Sequence, residues 1–117
     1  MASRPQDKCG IVGISFAADR LVAPYLYNAL RALQHRGQES AGIAVFNGDE
    51  LEWRRGMGYV HDVLGKLDPD PIEGSSGIGH TRYSTTGGSL PQNVQPFVGT
   101  CDVGDLALGH NLSLIHI

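Results

Sequence analysis

Three side chains in this sequence are suited to work on an acyl carbon, each in a glycine-flanked stretch: Cys9 in CGIVGISF, Arg82 in GHTRYSTTGG and Asn111 in LALGHN. A cysteine attacks as its thiolate and needs a base to take the proton. Were residues 1–8 removed, Cys9 would carry a free α-amine, and an ordinary amine pKa of about 8 suits a general base near neutral pH. Nucleophile and base would then share one residue. With the leader attached that nitrogen is an amide and takes no proton. Arginine can grip a carboxylate through two parallel hydrogen bonds, and an asparagine amide can meet an oxyanion. The set is suited to an amide substrate that carries a carboxylate. Each residue also has a plainer reading. Cys9 has the apolar neighbours Ile11, Val12 and Ile14 of an inert buried thiol. Arg82 suits a solvated Gly/Thr loop and Asn111 a turn. The place of Cys9 at the start of its strand, with Gly10 and Gly13 leaving room for close approach, favours the chemical reading.

Elements must hold these residues. CGIVGISF reads as a buried strand. APYLYNALRALQHRG spaces Leu26, Leu30 and Leu33 along one helical face, with Pro24 in the first turn and Gly37 as the stop. AGIAVFNGDELEWRRG reads as a hairpin in which Asn47 and Gly48 take the positive φ of a tight turn. HDVLGKLD is expected to form a short helix, DPDPIEGSS a surface loop and SGIGHTRYS a strand. STTGGSLPQNVQPFVG reads as irregular and DLALGHN as a final strand. Strands outnumber helices, which favours an α+β layered fold.

Composition narrows the partners. The 117 residues suffice for one modest domain, and 41% hydrophobic content is ordinary for a soluble chain with a core. The net charge is −3 and the basic residues do not cluster, so no nucleic-acid or anionic-membrane footprint is visible. No apolar run approaches a signal core or membrane span, and a cytoplasmic location is expected. Cys9 and Cys101 are too few for a disulfide framework and have no metal-ligand spacing. No metal ligands are assigned.

CGIVGI, LQHRGQESAGIAV, GHTRYSTTG and LALGHN stand in order and spacing that closely resemble the glutaminase domain of the amidophosphoribosyltransferase family, from Cys9 to Asn111. The resemblance implies a four-layer αββα sandwich of the N-terminal-nucleophile hydrolase type, incomplete over this stretch. It implies that Cys9 attacks the side-chain amide of glutamine to form a thioester, that Asn111 supplies half of the oxyanion hole, and that Arg82 binds the α-carboxylate with help from Thr85. Arg36 would brace the pocket. Ammonia would pass to phosphoribosyl pyrophosphate in a separate domain, where magnesium is expected, in the first step of purine biosynthesis. The full-length protein is expected to be a homo-oligomer. The nearest competitor is glucosamine-6-phosphate synthase, which also begins CGIVG but typically has HTRWATHG where this chain has HTRYSTTG.

The chain departs from the family at Leu112, where a glycine normally gives the second oxyanion donor, and the family's aspartate for the substrate amine is absent. Residues 112–117, LSLIHI, match the translation of a transposase sequencing adaptor. The expected organisation is a leader at 1–8, a partial glutaminase domain at 9–111 and a non-native tail at 112–117. A non-catalytic glutaminase-like binding module is the alternative reading of the departures, and the 117-residue chain itself is expected to be inactive.

Overall fold

A computed structural model describes residues 10–17, 19–34, 38–65, 72–83, 94–101 and 104–109. Six strands and two helices run in the order β1 (Gly10–Ser15), α1 (Ala23–Leu33), β2 (Gln38–Phe46), β3 (Leu51–Met57), α2 (Val60–Leu64), β4 (Ser76–Tyr83), β5 (Phe97–Cys101) and β6 (Gly104–Leu108). The first four strands make an antiparallel sheet of order β1-β4-β2-β3, and β5 and β6 form a separate hairpin. The α+β expectation holds.

Strand β4 is central. Its odd-numbered positions face α1, because Gly77 and Gly79 lie against Leu26 and Leu30. A Cβ at Gly77 would sit 2.7 Å from the Ala44 carbonyl oxygen and 2.9 Å from Leu26 Cδ1, so glycine is what lets the helix settle this close. Leu26 and Leu30 of α1 join Ala41, Ile43 and Val45 of β2, and Val60 and Leu64 of α2, in one core. Strand side chains alternate between faces, so Ile78, His80 and Arg82 point away from α1. On that second face lie the β5–β6 hairpin and the Val94–Pro96 segment: Gly109 approaches Ile78 and His80, and Gly42 abuts Gln95 and Pro96.

Several sequence expectations change. Helix α1 stops at Leu33, because Gln34 is already extended at ψ 135; Gly37, the expected stop, lies outside the described residues. β1 is half-buried, with alternate residues exposed, because α1 covers only one of its faces. In the hairpin turn Gly48 alone takes positive φ, while Asn47 instead accepts the Asp49 and Glu50 amides on its side-chain oxygen, both at 2.9 Å. Within the expected surface loop, Ile72 is buried in the core. Phe97–Cys101, expected to be irregular in its first part, is a strand because it finds β6 as partner.

Candidate active site

One end of the main sheet gathers the sequence motifs. Gly10, the residue after Cys9, pairs with Thr81, the residue before Arg82. Across β4, Arg82 pairs with Ser40 and Tyr83 with Gln38, with a register shift between Gln38 and Ser40 that leaves Glu39 as the extra residue. Such bulges re-aim side chains at a strand end. The buried Gln38 amide nitrogen holds this one in place, donating to the carbonyls of Ser40 at 2.8 Å and Gly58 at 2.7 Å. Gly58 N–H in turn donates to the Glu39 carbonyl at 2.8 Å. The end of α1 is tied to the same region, since Gln34 Oε1 accepts the Val60 amide at 2.7 Å.

Of the five site residues expected from sequence, Arg82 is described: it is partly buried at the end of β4 and belongs to the face turned away from α1. Cys9, Arg36, Thr85 and Asn111 lie outside the described residues, as do residues 1–8 and 112–117. Their described neighbours converge. Gly10 stands beside Thr81, Gln34 and Gln38 flank the stretch that contains Arg36, and Tyr83 precedes the stretch that contains Thr85. The chain into Asn111 arrives from Gly109, whose Cβ position is 3.8 Å from Ile78 Cδ1 and 3.9 Å from His80 Cδ2.

The structure adds polar residues that the motif reading left without a role. Gln38, Ser40, His80, Thr81 and Gln95 are all buried around this end of the sheet. Thr81 Oγ1 is fully buried with no hydrogen-bond partner among the described residues, and it lies 3.0 Å from where a Cβ on Gly10 would stand. As an odd-numbered residue of β4, Thr81 is on the side of the sheet that faces α1, and a buried hydroxyl without a partner is uncommon in folded proteins. The signal was present in the sequence: GHTRY and GQES put polar side chains at strand positions where a structural sheet would carry apolar ones.

Farther along the same face an open apolar cleft of about 630 Å³ lies between the sheet and the β5–β6 hairpin, lined by Ala44, Phe46, Ile78 and Ala107 among others. Among the described residues no group of three His, Cys, Asp or Glu side chains could hold a metal ion, and no helix is long and apolar enough to cross a membrane.

No family model matches the chain. Amidophosphoribosyltransferase of Methanothermobacter thermautotrophicus is 50% identical over 116 residues, which cover 97% of this chain and 24% of that protein. The solved structure of the allosteric regulatory enzyme of purine biosynthesis superposes with a TM-score of 0.71 at 35% identity, over 83% of this chain and 21% of that one. Glutamine phosphoribosylpyrophosphate amidotransferase from B. subtilis, complexed with ADP and GMP, gives a TM-score of 0.70 at 34% identity, over 83% of this chain and 20% of that one. The chain spans about a quarter of the length of the curated relatives it matches. By sequence and by fold, the chain is a homologue of the N-terminal region of the amidophosphoribosyltransferases.

Proposed function

We propose that this chain belongs to the glutamine-hydrolysing domain of an amidophosphoribosyltransferase and that Cys9 is the nucleophile of that domain. The observation that carries the reading is the β1–β4 register. Gly10, the residue after Cys9 in sequence, lies opposite Thr81, the residue before Arg82. A thiol and a guanidinium are the groups needed at the two ends of one small substrate, the amide and the α-carboxylate of glutamine.

The chemistry follows from those residue types. After removal of residues 1–8, the Cys9 α-amine accepts the thiol proton as sulfur adds to the amide carbonyl. Asn111 donates to the oxyanion. The amine returns the proton to the departing nitrogen, leaving ammonia and a thioester, which water cleaves to glutamate and the free thiol. Thr85 assists Arg82 at the carboxylate and Arg36 braces the pocket. In the remaining length of such a protein, ammonia meets phosphoribosyl pyrophosphate at a magnesium-assisted site. The same reading completes the architecture: the β5–β6 hairpin begins the second sheet of an αββα sandwich whose first helical layer is α1 and α2. The working location is the cytoplasm, and the full-length protein is a homo-oligomer.

The test uses a full-length protein carrying this sequence. Its mature N-terminus, read by mass spectrometry, should be Cys9, and a thiol-directed electrophilic glutamine analogue should label that residue alone. Cys9→Ala should abolish glutamine-dependent activity and leave activity with added ammonium salt. An intact leader on fully active protein, or Cys9→Ala retaining glutamine-dependent turnover, would sink the assignment. No labelling in any form would favour the non-catalytic module.

A further inference from the structure

We infer that Arg55, on β3, is a positioning residue for the glutamine pocket: it fixes the buried Val94–Pro96 segment against the site-facing side of the sheet. The inference rests on the glutaminase reading above and adds to it a residue that none of the motifs contains.

The contact is specific. Arg55 Nη1 donates to the Pro96 carbonyl oxygen at 2.6 Å, across 41 residues of sequence. Its guanidinium carbon lies 4.7 Å from the centroid of the Trp53 ring, two residues back on the same face of β3, so one side of the cation is held by an aromatic surface while its edge is spent on Pro96. Beneath the segment is Gly42, paired with Arg55 on one side and with His80 on the other. A Cβ there would collide with the Gln95 carbonyl and stand 2.9 Å from Pro96 Cδ. Glycine therefore lets the segment lie directly on the backbone of β2, and Arg55 keeps it there. Val94, Gln95 and Pro96 are buried as a result.

The place matters for function. On this face the row formed by His80, Gly42 and Arg55 is next to the row formed by Arg82, Ser40 and Met57. The Val94–Pro96 segment thus stands one side-chain row from Arg82, where it can act as a side wall for a substrate whose carboxylate Arg82 holds. A wall displaced by a fraction of an ångström loosens the substrate without touching the reacting atoms.

The experiment compares Arg55→Met, which keeps stem length but loses the donor and the charge, with Arg55→Lys, which keeps both, in a full-length protein. Arg55→Met should raise KM for glutamine about tenfold with a smaller fall in kcat, and leave ammonia-supported activity within about twofold. Arg55→Lys should recover most of the loss. Gly42→Ala moves the same segment by a different route and should give the same split. Equal loss of glutamine-dependent and ammonia-supported activity in Arg55→Met, or no change in either, overturns the positioning role. A wild-type protein inert toward glutamine and unlabelled at Cys9 overturns instead the glutaminase reading beneath it.

Discussion

At the scale of single residues, Arg82 carries the most weight because it is the expected site residue whose strand position is described. It is the penultimate residue of β4, opposite Ser40, on the face shared with His80. If its guanidinium binds the glutamine carboxylate, Arg82→Ala removes a charge-assisted pair of hydrogen bonds worth about 2–3 kcal/mol, or roughly 30- to 150-fold in kcat/KM for glutamine. Steady-state kinetics with glutamine and with ammonia as nitrogen donor would show the loss confined to glutamine. A parallel fall with ammonia would mean that Arg82 supports the fold and not the substrate. Arg82 is legible in the sequence, since GHTRYSTTG is distinctive. Thr81 and Gln38 are legible as polar residues in strand stretches, but their burial is not, because it depends on what packs over them. Arg55 was equally hidden: its partner is 41 residues away, and nothing in LEWRRG announces Pro96.

Among the elements, α1 and the sheet were legible and their boundaries less so. Leu26, Leu30 and Leu33 at helical spacing specify a face, and Leu26 and Leu30 are fully buried. Where the helix ends depended on Gln34, whose side chain caps α2 while its backbone turns extended, a tertiary bond that local pattern cannot reveal. Strand β5 is not legible for a related reason, since a short run after Pro96 becomes a strand only with β6 beside it. Glycine content suggested tight turns, yet the decisive glycines of β4 serve close approach. Gly77→Ala would press a methyl group against the Ala44 carbonyl and Leu26, and should destabilise the protein by about 1–3 kcal/mol in urea unfolding. Gly56→Ala is the matched control: its Cβ would meet Val63 methyl groups at 3.5 and 3.7 Å, an ordinary contact, so stability should change little or rise. Equal cost at the two positions would show that strand glycine is required for reasons other than the seating of α1.

For the molecule as a whole, the two faces of the main sheet are unequal. One is sealed by α1 and α2 around a fully buried core. The other carries the apolar cleft, with Phe46 and Trp53 49% and 42% exposed beside it. Leu108 of the hairpin is also exposed. An apolar surface of this kind is covered in a working protein or becomes a site of association, and the remaining strands of the proposed second sheet are the cover that the αββα reading supplies. The 117-residue chain, prepared alone, should therefore bind an apolar-surface dye and self-associate in light scattering. Phe46→Glu should suppress both, because Phe46 ends β2 at the rim of the cleft, where a carboxylate stays hydrated and repels its counterpart on a second copy. In a full-length protein dye binding should be weak, and Phe46→Glu should lower stability by about 1–3 kcal/mol, because there the same carboxylate would be buried without a partner. This reversal of sign between the short and the long chain is what distinguishes a face covered within the domain from one that is simply exposed. A short chain that stays monomeric and dye-free would mean that the β5–β6 hairpin alone suffices to close the face.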